Sequence, residues 1–360
     1  FKLVLLLIIF YMFIFLCAEV TAVSLLVNYI SGTPLWITSA LVIATTLIYT
    51  LYGGLRASIL TDNLQFFIVL FFLFISFYFL FNINSNYISF DIIKNKSSHL
   101  LSAKYIPNYT AGLTFFIAVA ATNLFHQGNW QRVFAARSNK ILKRSLILSF
   151  IIIIPIVFFM GATGILAVTI DNKVNPDLAF FSILLKDKIE FLSVIIIILA
   201  ISLTISTVDT LVNAISSIVI VDGKKFYLYS KQKNYLRLSK FFVVILSVIS
   251  FVIASKGFSI LYLFLLADLL CCAAVFAVFY GFYQKKFNEK NAINSILFGL
   301  ISGLLIFPSP DFSKSLLIGT LLPFDLFHEI LTSSLLFWSF LVATLGPVIV
   351  IMTYDSIKGR

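Results

Sequence analysis

Five polar residues, Ser202, Ser206, Asp209, Asn213 and Ser216, recur at spacings of four, three, four and three within ILAISLTISTVDTLVNAISSIVIVD. That spacing puts all five on one face of a helix. Isoleucine, leucine and valine fill the rest of a stretch of roughly thirty residues, long enough to cross a bilayer. A carboxylate in the middle of such a span costs about 2.5–3.5 kcal/mol to insert, so it faces a partner, an ion or a water-filled cavity. The helix is a candidate wall of a transport pathway.

The chain around it is built for the same medium. Of its 360 residues 61% are hydrophobic and 11% charged, with a mean hydropathy of +1.06, far from the balance of a soluble globular protein. Ten apolar stretches read as spans: 3–30, 35–52, 58–82, 109–131, 145–170, 190–221, 240–255, 258–283, 292–307 and 329–354. No strand alternation of the barrel kind accompanies them, so the expected fold class is an all-α integral membrane protein, a multi-pass helical bundle.

The net charge of +11 reports topology rather than nucleic-acid binding. With the N-terminus inside, 18 of the 26 Lys and Arg residues fall in inner segments and 8 in outer ones. This is the positive-inside pattern, and the expected location is the cell membrane. Membrane lipid is the only partner the basic loops add, and residues 222–239 are expected to lie on the anionic inner leaflet. Residues 83–108 read as a mobile outer loop. Cys17, Cys271 and Cys272 all fall inside spans and read as small packing residues, not as a disulfide framework. Glycine-rich phosphate loops, metal-ligand clusters and catalytic triads are absent from the sequence, so no enzyme, no cofactor, no nucleic acid and no obligate protein partner are expected. The chain opens Phe1-Lys2-Leu3-Val4 without Met, and the expectation is that it begins inside a longer protein.

Identity comes from three motifs. Gly32, Leu35, Tyr49, Thr50, Gly53, Gly54, Leu55 and Ala57, continued by Thr61-Asp62-Asn63-Leu64-Gln65, lie around a helix stop at paired glycines with Arg56 at the headgroups. The segment from Gln127 through Gln131-Arg132 to Ala135-Ala136-Arg137-Ser138 follows, with His126 ahead of it. Ser206-Thr207, with Asn213 and Asp222 beyond, makes the third. Together they resemble the sodium:solute symporter family: its signature and "TDxxQ", its "DQxxxQRxxAAKS", and the helix that lines its better-known sodium site. His126 departs from the pattern, since an Asp is common there. The likeness covers roughly residues 1–283, and beyond that only hydropathy agrees.

The resemblance implies a LeuT-like fold of two inverted five-helix repeats with solute and ion sites near the midplane. One transmembrane domain would then run over 1–360, with 1–82 the remainder of the first repeat, 109–283 the second repeat and 284–360 peripheral helices. The first two core helices find no counterpart in this chain. The implied sodium ligands are the carbonyl of Leu203 and the hydroxyls of Ser206 and Thr207; hydroxyls bonded to the preceding turn are the plain alternative. Asp62 would line ion release toward the cytoplasm, or simply be a charge at a helix N-terminus. Asp209 is open between an ion or proton site and a carboxylate that bonds a neighbouring helix. Thr122 and Asn123 would face substrate or pack in the core. Gln127, Gln131 and Arg132 would close the inner mouth. Glu19 and Asp268 are lone intramembrane acids, expected to pair between helices.

The function expected is sodium-coupled symport of a small polar solute (an amino acid such as proline, a sugar, a carboxylate or a urea-like compound), with sodium the coupling ion. Two rivals stay open: the input domain of a membrane sensor, and a transport-inactive fragment of a symporter.

Overall fold

A computed structural model of the chain describes residues 1–82, 90–187, 189–223, 232–284, 287–315, 317 and 334–358. These are almost entirely helical. The helices are α1 (Lys2–Ser31), α2 (Leu35–Asn82), α3 (Phe90–Lys96), α4 (Ile106–Phe125), α5 (Gln127–Ala135), α6 (Asn139–Ile170), α7 (Ala179–Leu184), α8 (Glu190–Val221), α9 (Gln232–Ala254), α10 (Ile260–Tyr283), α11 (Glu289–Ile306) and α12 (Leu335–Lys358). Among the described residues seven helices, α1, α2, α6, α8, α9, α10 and α12, are long and apolar enough to cross a membrane. The expected spans at 109–131 and 292–307 correspond to α4 with α5 and to α11, outside those seven. His126 interrupts the first of these, and Glu289, Lys290 and Asn291 take up the opening turn of the second. The start of the span expected at 329–354, residues 83–89 of the expected outer loop 83–108 and residues 224–231 of the expected inner loop 222–239 lie outside the described residues.

The spans expected at 35–52 and 58–82 are the two arms of α2. Its helix is broken at Gly54, which sits at φ 56°, ψ −150°, a conformation that is essentially glycine's alone. The break is a fold-back. Tyr49 and Thr61 both donate to one oxygen of Asp209, at 2.8 and 3.3 Å. Twelve residues of straight helix would separate their Cα atoms by about 18 Å, beyond the combined reach of the two side chains.

The chain divides into two compact units, one of Phe1–Phe15, Ala103–His126 and Leu261–Arg360, the other of Leu16–Ser102 and Gln127–Ile260. In the second, both arms of α2 pack on α8, with α9 beside them. Residues 208–215 of α8 are buried without interruption, so this stretch is enclosed on every side. Leu26, Leu80, Ile93, Leu166, Leu184, Leu192 and Ile196 form a core around α7. In the first unit α11 lies tightly on α12. Gly299 and Gly303 face Ala343 and Pro347 with no room for a side chain, and the Ser339 hydroxyl donates to the Gly303 carbonyl at 2.7 Å. Helix α10 is buried along Ala267–Ala274.

Candidate functional site

Two carboxylates organise the middle of the second unit. Asp62 stands two turns after the break in α2, where the chain has folded back beside α8. Its Oδ1 accepts from Ser206 Oγ at 2.5 Å, and its Oδ2 is paired with Arg132 Nη2 of α5. The same guanidinium nitrogen donates to Thr210 Oγ1 at 2.7 Å, and Nη1 reaches back to the Gly128 carbonyl at 3.3 Å. Arg132 is held there because α5 restarts at Gln127 after His126 leaves helical geometry at φ −71°, ψ 95°. The acid and the base are each partly exposed, so this is a screened pair and not a sealed one.

Asp209 is fully buried and, among the described residues, is held by hydroxyls. It accepts from Tyr49 at 2.8 Å, Ser58 at 2.9 Å, Thr61 at 3.3 Å and Thr210 at 3.3 Å. Tyr49 precedes the fold-back and Ser58 and Thr61 follow it, so one α8 carboxylate ties both arms of α2. Of its two open roles, the helix-bonding one is visible in these contacts. Sequence reasoning missed this donor set, although Tyr49 and Thr61 both stand inside the motifs that carry the family resemblance.

The remaining expected residues are only partly gathered. Ser206 belongs to the Asp62 cluster. Thr207 turns the other way and donates to the Leu203 carbonyl at 3.2 Å, the ordinary membrane-helix back-bond. Leu203 is 44% exposed on that side of the helix. Gln131 donates from Nε2 to Ser217 Oγ at 2.6 Å, while its Oε1 is buried without a partner. Gln127 is half-buried at the first position of α5. Asn213 is buried, its Nδ2 unpartnered, and Ser216 reaches Ser239 of α9 at 3.3 Å.

In the first unit, Thr122 of α4 donates to Asp268 of α10 at 2.7 Å and to the Ala118 carbonyl at 2.8 Å. Asn123, one position on, is exposed and donates to the Val119 carbonyl at 2.8 Å. Tyr11, Phe15 and His126 pack edge to face, and Phe264 lies on Phe15 at 4.5 Å. The expected interhelical pairing thus holds for Asp268. The Glu19 carboxylate, in the second unit, is half-buried and bonds to no described residue.

Hydroxyls, amides and carboxylates at the core of a membrane-length bundle, with two broken helices, suit ion and solute passage rather than bond-breaking. The model of the sodium:solute symporter family matches residues 2–299. The chain belongs to that family. It is also similar to the spermidine transporter DUR31 of Candida albicans, 27% identical over 355 residues, covering 96% of this chain. The match takes in 66% of that relative, so the chain spans just under two thirds of its length. Family and relative are transporters rather than enzymes, and the chain is a multi-pass membrane protein.

Proposed function

We propose that this symporter-family chain carries a small polar solute across the cell membrane by alternating access, coupled to sodium. Sodium binds among Ser206, Thr207 and the Leu203 carbonyl and leaves inward past Asp62, while Gln127, Gln131 and Arg132 close the inner mouth. The observation that carries this reading is the 2.5 Å hydrogen bond from Ser206 to Asp62. It joins a hydroxyl of the ion-binding pair to the carboxylate of the release path. A cation arriving at Ser206 competes with that bond and frees the carboxylate to loosen its hold on Arg132. Occupancy of the site is thereby linked to the inner gate.

Among solutes, a cationic amine fits best. The relative is a spermidine transporter, and Asp268 is a buried carboxylate whose partner is a neutral hydroxyl, Thr122. Thr122 and Asp268 take the solute-facing role in this reading, with Asn123 peripheral. One sodium moving through 100 mV gains about 2.3 kcal/mol, and a tenfold gradient adds about 1.4 kcal/mol. A triply charged amine gains about 7 kcal/mol per 100 mV on its own, so for such a solute sodium sets the order of binding more than the energy.

The test is uptake by the full reading frame in cells deficient in the corresponding uptake, using labelled spermidine, proline and urea with and without a sodium gradient. Sodium-stimulated accumulation of the amine, reduced in Asp268→Asn, is expected. Uptake indifferent to sodium removes the coupling, and preference for proline or urea removes the amine.

A further inference from the structure

A cavity of about 380 Å³ opens in the second unit at the fold-back of α2, walled by α5, α8 and α9. Its floor is polar: Thr50, Gln131, Asn213, Ser216 and Ser217. Three buried polar atoms there, Thr50 Oγ1, Gln131 Oε1 and Asn213 Nδ2, have no hydrogen-bond partner among the described residues. Thr50 and Asn213 are only 4% and 8% exposed. Unpaired polar atoms in a dry interior cost about 1–3 kcal/mol each, so a cluster of them marks a place where something polar binds.

The charge of the lining says what kind of group that is. Lys240 is the one charged residue among those lining the cavity, its ammonium standing 5.7 Å from the centre of the Tyr52 ring. With no carboxylate among the described lining residues, this ammonium repels sodium and cationic solutes, so the cavity does not favour either. It attracts an anion. The rim adds a second property: Tyr52 and Leu236 are 91% and 51% exposed, and Leu51, Leu55 and Ile220 complete an apolar border. The positive-inside pattern puts the Gly53-Gly54 turn and Lys240 at the inner membrane face.

We infer that this cavity is a binding site for an anionic phosphodiester, held at the inner leaflet as the headgroup of an acidic phospholipid. Lys240 and the Asn213 amide donate to the phosphate oxygens, and Thr50 donates beside them. Gln131 Oε1 accepts from a headgroup hydroxyl, which favours phosphatidylglycerol over phosphatidylcholine. The acyl chains run out over the apolar rim. Because the headgroup contacts Gln131, the neighbour of Arg132 on α5, its occupancy stiffens the inner end of the unit. The site does not depend on which solute is carried or on sodium coupling.

The experiment uses the full reading frame in nanodiscs of phosphatidylcholine alone or mixed with an equal amount of phosphatidylglycerol. It reads retained lipid by native mass spectrometry and the thermal midpoint. Wild type is expected to retain phosphatidylglycerol selectively and to melt higher in the mixture. Lys240→Gln should bind it about tenfold more weakly, equivalent to about 1.4 kcal/mol; Lys240→Arg should restore it, and Asn213→Leu should lose the selectivity. Arg237→Gln, an exposed basic residue on the same helix, should change nothing. If Asn213→Leu does not fold, the Gln and Arg variants of Lys240 still decide. Millimolar inorganic phosphate added to phosphatidylcholine discs distinguishes the source. Stabilisation that needs Lys240 would make the occupant a soluble phosphate compound and overturn the lipid assignment while keeping the anion site. Equal loss in Lys240→Gln and Arg237→Gln, or no preference for phosphatidylglycerol together with no Lys240-dependent effect of phosphate, would overturn both.

Discussion

Removing the hydroxyl of Tyr49 and the charge of Asp209, singly and together, tests the tie that holds the α2 fold-back. Asp209 is fully buried and takes its two shortest bonds from opposite sides of Gly54, Tyr49 at 2.8 Å and Ser58 at 2.9 Å. Hydrogen bonds between membrane helices average about 0.6 kcal/mol and reach about 1.7 kcal/mol at most. A short bond to a buried carboxylate belongs at the upper end, so Tyr49→Phe should cost about 1.5 kcal/mol. Asp209→Asn keeps the shape but weakens all four bonds and brings an amide N–H₂ against hydroxyl donors. The insertion cost of the carboxylate, about 2.5–3.5 kcal/mol, is relieved at the same time. These terms oppose each other, so the single-variant stability of Asp209→Asn should move little and is a poor diagnostic. The coupling is the diagnostic: in a double-mutant cycle the Tyr49–Asp209 interaction should come out at about 1 kcal/mol or more. Reversible unfolding of the full reading frame in mixed detergent micelles gives the four free energies. Tyr52→Phe, at a ring 91% exposed, is the control and should stay within about 0.5 kcal/mol. Additivity of Tyr49→Phe and Asp209→Asn within about 0.3 kcal/mol would refute the tie.

Three further outcomes follow from local geometry. Gly54→Ala forces a Cβ into φ 56°, ψ −150° and should lower stability by about 1–3 kcal/mol, seen as a lower melting point and reduced yield from membranes. Gly299→Ala would bring its Cβ within 2.7 Å of the Ala343 carbonyl and 2.6 Å of Pro347. It should cost about 1–3 kcal/mol in the same assay and raise hydrogen exchange in α11 and α12 together. In the connection after α11, hydroxyls of Ser309 and Ser313 donate to Asp311 at 2.5 and 2.7 Å and pull its pKa from 3.8 down to about 2. A depressed carboxyl contributes stability that is present above pH 3.8 and lost as pH falls toward 2. Exchange of the loop amides around Ser309–Ser313 should be flat in its protection from pH 8 to 4 and lose it only below that, and Ser309→Ala should move the loss upward.

The parts of this molecule written in local chemistry were legible from the chain. Membrane-length apolar runs gave the helices, and the Gly53-Gly54 pair marked the reversal because only glycine tolerates the backbone there. Ser206 lies on the polar stripe and Thr207 does not, and because neighbours on a helix point about 100° apart one hydroxyl meets Asp62 and the other its own helix, where the resemblance had both facing the ion. What was not legible lies across long separations. Tyr49 and Asp209 are 160 residues apart, Arg132 and Asp62 are 70, and Thr122 and Asp268 are 146. No spacing rule connects such pairs; only the packing of α2, α5 and α8, or of α4 and α10, does. Thr122 reads as a packing or solute-facing hydroxyl from its own helix, and its acid becomes visible only when α10 is beside it. The cavity under Lys240 was hidden for the same reason, since its lining comes from four helices and the polar stripe supplies only part of its floor.

The central claim is that sodium acts at Ser206 and Thr207 and is relayed through Asp62. It is tested most directly by the sodium concentration that half-saturates solute uptake by the full reading frame, compared among wild type, Ser206→Ala, Thr207→Ala and Asp62→Asn. Ser206→Ala and Thr207→Ala should each raise that concentration about tenfold or more, the loss of one oxygen contact worth about 1.4 kcal/mol, and Asp62→Asn should slow turnover at saturating sodium. Uptake that keeps the wild-type sodium dependence in all three variants would contradict the account.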